Sequence, residues 1–321
     1  MNQAALAGSP HTANGDPFDD ALLNNAYERI REGLIDDGMN DLIAGLQARR
    51  LSAGTEEWTH VVRRCLRHPL RALLHEDPFT ERAFTKPRGY AGDAPLLDFI
   101  YGYEEGWPAP EGTSELGRKI FGYTTRSVAS EGVRARRGFI AEVVDRLVHE
   151  VAQPHVLSVA AGHLREALLS AAVKRRKLGR YLALDWDRHS LTEVERCYAA
   201  YGVEVLPGSV RQLLTGRVQL GQFDLVYSTG LFDYVQQTTG RRLVWSLFQM
   251  LRPRGRLIIA NFLPGIPDVG YMESYMGWNL IYRTRQEMLE MTLDIPEATI
   301  REIRLFAEES RNILFLEVTR N

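Results

Sequence analysis

Val156-Leu157-Ser158-Val159-Ala160-Ala161-Gly162-His163-Leu164-Arg165-Glu166 decides the fold: a short apolar run enters three small residues and then a helix-forming stretch. Small residues at the end of a strand let a ligand approach the backbone, and a helix N-terminus behind them offers free N–H groups to a polar group. Gly162 is the one glycine of the loop, and Ala160 and Ala161 stand where further glycines often sit, so read alone the loop fits a plain turn equally well. Its context points further. Leu182-Ala183-Leu184-Asp185 ends a second apolar run with a carboxylate about 20 residues on, the spacing at which a nucleotide site holds ribose hydroxyls. Asp185 is the leading ribose-binding candidate; its other possible role, capping the next helix, can be filled by Asp187. Trp186 is placed to cover an adenine or ribose face, or to sit on the surface.

Working downstream, short β-rich runs alternate with helical stretches, the pattern of βαβ units and a parallel sheet. Strands are expected at His155–Val159, Tyr181–Leu184, Val203–Leu206, Phe223–Tyr227, Arg256–Asn261, Thr299–Phe306 and Asn312–Thr319. Helices are expected near Leu164–Lys177, Arg188–Tyr201, Arg241–Leu251 and Arg285–Met291. The last two strands are separated only by Ala307–Arg311, which predicts an antiparallel hairpin. Open α/β sheets bind ligands at the carboxyl ends of their strands, so Ser228, Gly230, Phe232, Asp233 and Tyr234, following the fourth strand, lie on the ligand side. Asn261 closes the fifth strand, after the turn Arg252-Pro253-Arg254-Gly255-Arg256.

This ordered set of strand-Gly loop, strand-Asp, strand-Ser, Phe223-Asp224-Leu225-Val226, Arg252-Pro253-Arg254-Gly255 and terminal hairpin resembles the class I S-adenosylmethionine (SAM)-dependent methyltransferases, over about Phe139 to Thr319. The resemblance implies a Rossmann-like seven-stranded α/β fold with SAM as cofactor. Gly162 and Ala160 would lie near its methionine part, Asp185 and Trp186 at the ribose, Ser209 and Val210 near adenine, and Ser228, Gly230 and Phe232 along the cofactor side.

Upstream the periodicity changes. Leu22, Leu23, Ala26, Ile30 and Leu34, then Met39, Leu42, Ile43 and Leu46, then Trp58, Val61, Val62, Cys65 and Leu66 recur at three- and four-residue spacing, the mark of amphipathic helices. Asp16-Pro17 supplies a start signal, and Gly38 and Gly54 fall where helices are expected to break. The division expected is a disordered segment 1–16, a helical lid or substrate subdomain 17–130, and a SAM-binding domain 131–321. Between helices and sheet lies Lys86-Pro87-Arg88-Gly89-Tyr90-Ala91-Gly92-Asp93, rich in loop formers and chemically active side chains. The string resembles a bacterial methyltransferase subfamily that includes 3-hydroxypalmitate methyl ester synthases, and the lid-on-core arrangement also resembles the SAM-cyclising azetidine-2-carboxylate synthases. Arg88 is a candidate for holding a substrate carboxylate, Tyr90 for offering a hydroxyl or ring face, and Asp93 for binding an amine or capping a helix. Tyr101, Tyr103, Trp107 and Tyr123 continue the aromatic enrichment, and Tyr271 to Arg283, with Tyr275 and Tyr282, reads as an adaptable pocket wall. Arg134, Arg136 and Arg137 read as a mostly solvated run of which one can meet the SAM carboxylate.

Composition narrows the alternatives. With 39 basic and 41 acidic residues the net charge is −2, which disfavours nucleic acid as a partner, and two distant cysteines suit a reducing, cytoplasmic setting. No apolar stretch approaches the roughly 20 residues of a membrane span. Histidines are scattered without HxxxH or HExxH, so no metal is expected; GxSxG, GxxxxGK[ST] and the dehydrogenase fingerprint GxGxxG are also missing. The expected function is methyl transfer from SAM to a small-molecule acceptor such as a fatty or other carboxylate, with oligomeric state open. Cyclisation of SAM to azetidine-2-carboxylate, releasing methylthioadenosine, is the alternative; it would call on Tyr90, Asp93, Asp233, Tyr234 or Asn261 to accept amine protons. A SAM-binding module without catalysis is the third possibility.

Overall fold

The computed structural model describes residues 17–216 and 220–321; the segment 1–16 and the expected cap at Asp16 lie outside them. Helices occupy the first part: α1 (Pro17–Arg31), α2 (Ile35–Ser52), α3 (Thr55–Arg67), α4 (Leu70–Leu74), α5 (Pro78–Thr85), α6 (Ala94–Glu105), α7 (Glu115–Thr124) and the long α8 (Val128–Glu150). Gly54 precedes α3 as expected, but Gly38 lies inside α2. A side chain there would bring Cβ to 2.8 Å from Ile30 Cγ1, so this glycine serves the close approach of α1 and α2 and the break comes earlier, at Gly33 with φ 89°.

Then follow β1 (His155–Val159), α9 (Ala171–Lys174), β2 (Arg180–Asp185), α10 (Arg188–Tyr198), β3 (Val203–Pro207), α11 (Val210–Leu214), β4 (Phe223–Ser228), α12 (Gln237–Gln249), β5 (Leu251–Phe262), α13 (Val269–Tyr275), α14 (Arg285–Glu290), β6 (Ile300–Ala307) and β7 (Ile313–Arg320). They form one seven-stranded sheet ordered β3-β2-β1-β4-β5-β7-β6. The first five strands pair in parallel, and β7 pairs antiparallel with both β5 and β6. The order reverses between β1 and β4, which opens the crevice where such sheets bind ligands.

Alternation along the strands sorts the core into two layers. Val156, Tyr181, Ala183, Leu225, Tyr227 and Ile258 join the cluster shared with the N-terminal helices, whereas Leu157, Leu182, Leu184, Val226, Leu257 and Ile259 join the cluster holding Leu243, Leu247 and Met288. The helix expected at Leu164–Lys177 is instead a 3-10 turn, Arg165–Leu168, followed by the four-residue α9. Leu164 adopts φ 51°, and Ser170 starts a new cap on Val173, so the apolar spacing never closes into one helix. Residues after β5 also leave the sheet domain: α13 packs on α2 and α3, and Gly270 lies so near that a Cβ would be 2.7 Å from the Leu46 carbonyl. Among the described residues no helix is long and apolar enough to cross a membrane, and no group of His, Cys, Asp and Glu could hold a metal ion.

Candidate active site

The loop leaving β1 turns by three left-handed residues, Ala160 at φ 56°, Gly162 at 53° and Leu164 at 51°. Asp185, 4% exposed at the end of β2, holds this loop: Gly162 N–H donates to Oδ2 at 2.8 Å, and Asp187 N–H donates to Oδ1 at 2.8 Å. Burial raises the Asp185 carboxyl above its ordinary range, and these two N–H donors oppose it. Each oxygen retains acceptor capacity toward a ligand hydroxyl. Asp187 takes the capping role at α10, accepting from His189 N–H at 3.0 Å.

A cleft of about 440 Å3, space open to solvent included, runs along the loop into the β1/β4 crevice. Its walls come from α6 (Ala94, Asp98, Tyr101), from α8 (Arg136), and from the ends of β1 and β4, with Glu166, Thr229 and Gly230. Arg134, Arg136 and Arg137 are not a solvated run: they are 8%, 5% and 3% exposed. Glu104 and Glu105 take Arg137 at 3.1 and 3.4 Å, and its guanidinium lies 4.7 Å from the centre of the Tyr101 ring. Arg136 leans over Gly230, with Nη1 at 4.0 Å from Asp233 Oδ2. Asp233 is fully buried, and burial pushes its carboxyl up to about 6 although Arg136 opposes the shift. Tyr227 donates its hydroxyl to Glu166 Oε1 at 2.6 Å and meets Tyr181 at 2.5 Å. Burial raises the Glu166 carboxyl. The cleft therefore presents a guanidinium and a carboxyl at one end, and its loop wall is braced from behind by Asp185 through Gly162 N–H.

The whole architecture matches a possible exported protein from Bordetella parapertussis, at TM-score 0.61 and 17% identity over 98% of this chain and 99% of that one. The fold is a Rossmann-like seven-stranded α/β sheet with a terminal antiparallel hairpin. Partial likeness extends to the N-methyltransferase NodS of Bradyrhizobium japonicum, at TM-score 0.41 and 13% identity over 58% of this chain and 94% of that one. It extends also to the magnesium protoporphyrin IX methyltransferase ChlM of Synechocystis, at 0.43 and 15% over 60% and 86%. No protein-family model and no curated protein sequence matches the chain.

Within this fold the remaining candidate residues separate. Tyr90 lies beside Asp185, its ring 5.9 Å from Trp186 and 6.4 Å from Tyr234. Burial and the neighbouring Asp185 and Asp187 push its hydroxyl well above the usual tyrosine range, so it serves as a neutral hydroxyl. Trp186 is 57% exposed and leaves a ring face open. Tyr234 accepts from Trp278 Nε1 at 2.7 Å. Arg88 is pinned to Asp187 at 2.7 Å and Ser190 at 2.9 Å, which joins the Lys86–Asp93 string to α10 beside the cleft.

Other candidates are committed to the scaffold. Asp93 is fully buried, caps α6 through Leu96 N–H at 3.0 Å and is gripped by Arg82 at 2.8 and 2.7 Å. Asn261 donates to the Phe262 and Ile281 carbonyls and accepts from the buried Arg283, which also donates to the Phe232 carbonyl. Ser228 donates to the Val159 carbonyl at 2.8 Å and ties β4 to β1. The Phe232 side chain points away from the ligand side, into the core around Leu243 and Met291. Ser209 caps α11, and both its hydroxyl and its N–H engage Gln212; Val210 is the first residue of that helix.

A second, largely apolar chamber of about 400 Å3, open space included, lies under the helices at the end of β5. Ile43, Phe79, Phe262, Met272, Met276 and Trp278 line it, with Tyr123 at its edge bonded to Asn40 at 2.6 Å. Asp268 is its charged wall residue; it accepts from Ala129 N–H at the start of α8, and burial pushes it up to about 6. Tyr275 is fully buried behind the chamber, its ring 5.6 Å from Tyr271. The Tyr282 hydroxyl is buried without a hydrogen-bond partner among the described residues. Asp98, His163 and Glu166 carried no signal of a site in the sequence, because their partners are remote in the chain.

Proposed function

We propose that the protein is a SAM-dependent methyltransferase acting on a small, largely apolar acceptor. The observation that carries this reading is the cleft at the β1/β4 crevice, closed by Arg136 and Glu166 and walled by the β1 loop that Asp185 braces from the end of β2. SAM, when bound, supplies a methyl group already activated by its sulfonium. Asp185 would accept the ribose hydroxyls, Tyr90 and Trp186 flank that end, and Arg136 and Glu166 would meet the carboxylate and ammonium of the amino acid. No strong base is required for an ionised acceptor; the chain's task is to orient the nucleophile and exclude water. The apolar lining of the chamber bounded by Phe262 and Trp278 supports an apolar acceptor such as a fatty carboxylate, for which the helices around it would have to part.

The cyclising alternative draws little support from the proton acceptors it needs, since Asp93 and Asn261 are already engaged. Chromatography of reactions with SAM, with and without fatty carboxylates, tests the proposal. It predicts S-adenosylhomocysteine in step with acceptor. Methylthioadenosine formed without acceptor would replace methyl transfer by cyclisation, and binding without either product would leave a SAM-binding module.

A further inference from the structure

We propose that Asp98, on α6, is the positioning residue that holds the loop 160–165 in its binding shape, so that the cofactor site is complete only while the helical layer is docked. This rests on reading the cleft as the SAM site. Non-glycine residues rarely enter the left-handed region, yet Ala160 and Leu164 both do so within five residues, and such a loop persists only where its surroundings hold it. Two carboxylates hold it. Asp185 takes the near end through Gly162 N–H, and it belongs to the sheet itself.

The far end is held from the helices. Asp98 Oδ2 meets His163 Nδ1 at 2.8 Å and Arg165 Nη2 at 2.7 Å, and Oδ1 accepts from Arg165 Nε at 2.8 Å. His163 and Arg165 are buried, and Arg165 passes the tie on to Glu193 of α10 at 2.9 Å. The contact is close as well as polar: a Cβ on Gly162 would sit 3.4 Å from that of Ala94, at the start of α6. Elsewhere the helical layer is anchored far from the loop, by Arg50 and Trp58 on Glu273 and by Thr80 on Tyr271, while Arg137 grips the C-terminal part of α6 at Tyr101, Glu104 and Glu105. Besides Asp98, Arg88 is the neighbouring tie on the cleft side: it grips α10 through Asp187 at 2.7 Å and Ser190 at 2.9 Å and reaches the loop only at the outer edge, 3.5 Å from His163 Nε2. Asp98 therefore converts docking of the helices into the shape of the loop.

The test compares the parent with Asp98→Asn and Asp98→Glu in the full chain. Hydrogen exchange of residues 158–168, without ligand and under conditions where each protein is folded, should be about tenfold or more faster in Asp98→Asn, while β4 and β5 exchange at the parent rate. SAM affinity should fall about ten- to a hundredfold, as expected for lost charge-assisted bonds, and Asp98→Glu should recover part of both effects. A mere brace of the fold would not move local exchange or respond to the conservative variant. If Asp98→Asn does not fold, His163→Gln removes one tie and should show the same local loosening to a smaller degree. Loop exchange at the parent rate in the folded variants overturns the proposal. A parent that fails to bind SAM would instead sink the functional reading, and the exchange measurement would still decide the role of Asp98.

Discussion

Gly92, in the Lys86–Asp93 string, should not accept even a methyl group. A Cβ built there would lie 2.4 Å from Tyr234 Oη and 2.8 Å from Trp278 Cζ2, well inside van der Waals contact. Trp278 is not free to yield, because its indole is buried against Phe79, and Tyr234, 38% exposed, can move only by giving up the 2.7 Å bond that Trp278 Nε1 donates to its hydroxyl oxygen. Gly92→Ala must therefore separate the pair or lift the string. Overpacking of this kind costs about 1–3 kcal/mol, and losing the Trp278–Tyr234 bond adds about 0.5–1.5 kcal/mol where it breaks. At roughly 1.5 °C per kcal/mol for a protein of 321 residues, Tm should fall by about 2–6 °C. Tyr234→Phe removes the oxygen that collides, so the double variant Gly92→Ala/Tyr234→Phe should lose less than the sum of the two single changes. Calorimetric melting of the four proteins measures the cycle. An unchanged Tm for Gly92→Ala, or strict additivity in the double variant, would refute the argument.

Arg136→Gln should weaken SAM by about ten- to a hundredfold, since it removes the guanidinium proposed for the carboxylate, while leaving adenosine, which has no carboxylate, bound as before; equal losses for both ligands would place Arg136 elsewhere. Asp268 is held near 6 against an ordinary 3.8, so between about pH 4 and 6 the folded state keeps a proton that the unfolded chain releases, and this residue's contribution to stability falls as pH rises through that window. Asp268→Asn should therefore gain on the parent across the same window in urea titrations, and a constant gap would contradict this. Ser209→Ala should cost stability at the low end of about 0.5–2 kcal/mol, because it breaks the cap on the short, exposed α11, with SAM affinity retained. A tenfold loss of affinity would put Ser209 against the ligand.

The sheet was legible because its signal is local: period-two runs of Val, Leu and Ile bounded by Gly, Pro and Asp survive in any context that buries them. The carboxylate ending β2 was legible for the same reason, since strand, loop and acid follow one another in the chain. What escaped depends on partners far away. Arg134, Arg136 and Arg137 look like a solvent face until Glu104, Glu105 and Tyr101 of α6 cover them. Asp93 and Asn261 look chemically available until Arg82 and Arg283 claim them. The spacing from Leu164 onward promises a helix, but Leu164 itself turns left-handed to bring the loop under Asp98, and periodicity carries no trace of that.

Calorimetric titration of SAM into the parent and into Asp185→Ala, with folding of both confirmed by melting, tests the central claim most directly. Asp185 is the buried acceptor at the end of β2, and removing it strips contacts of the order of 1.5–3 kcal/mol. The account predicts saturable one-to-one binding by the parent and affinity about ten- to a hundredfold weaker in the variant. A parent that does not bind SAM, or a folded Asp185→Ala protein that binds it as tightly as the parent, would contradict the account.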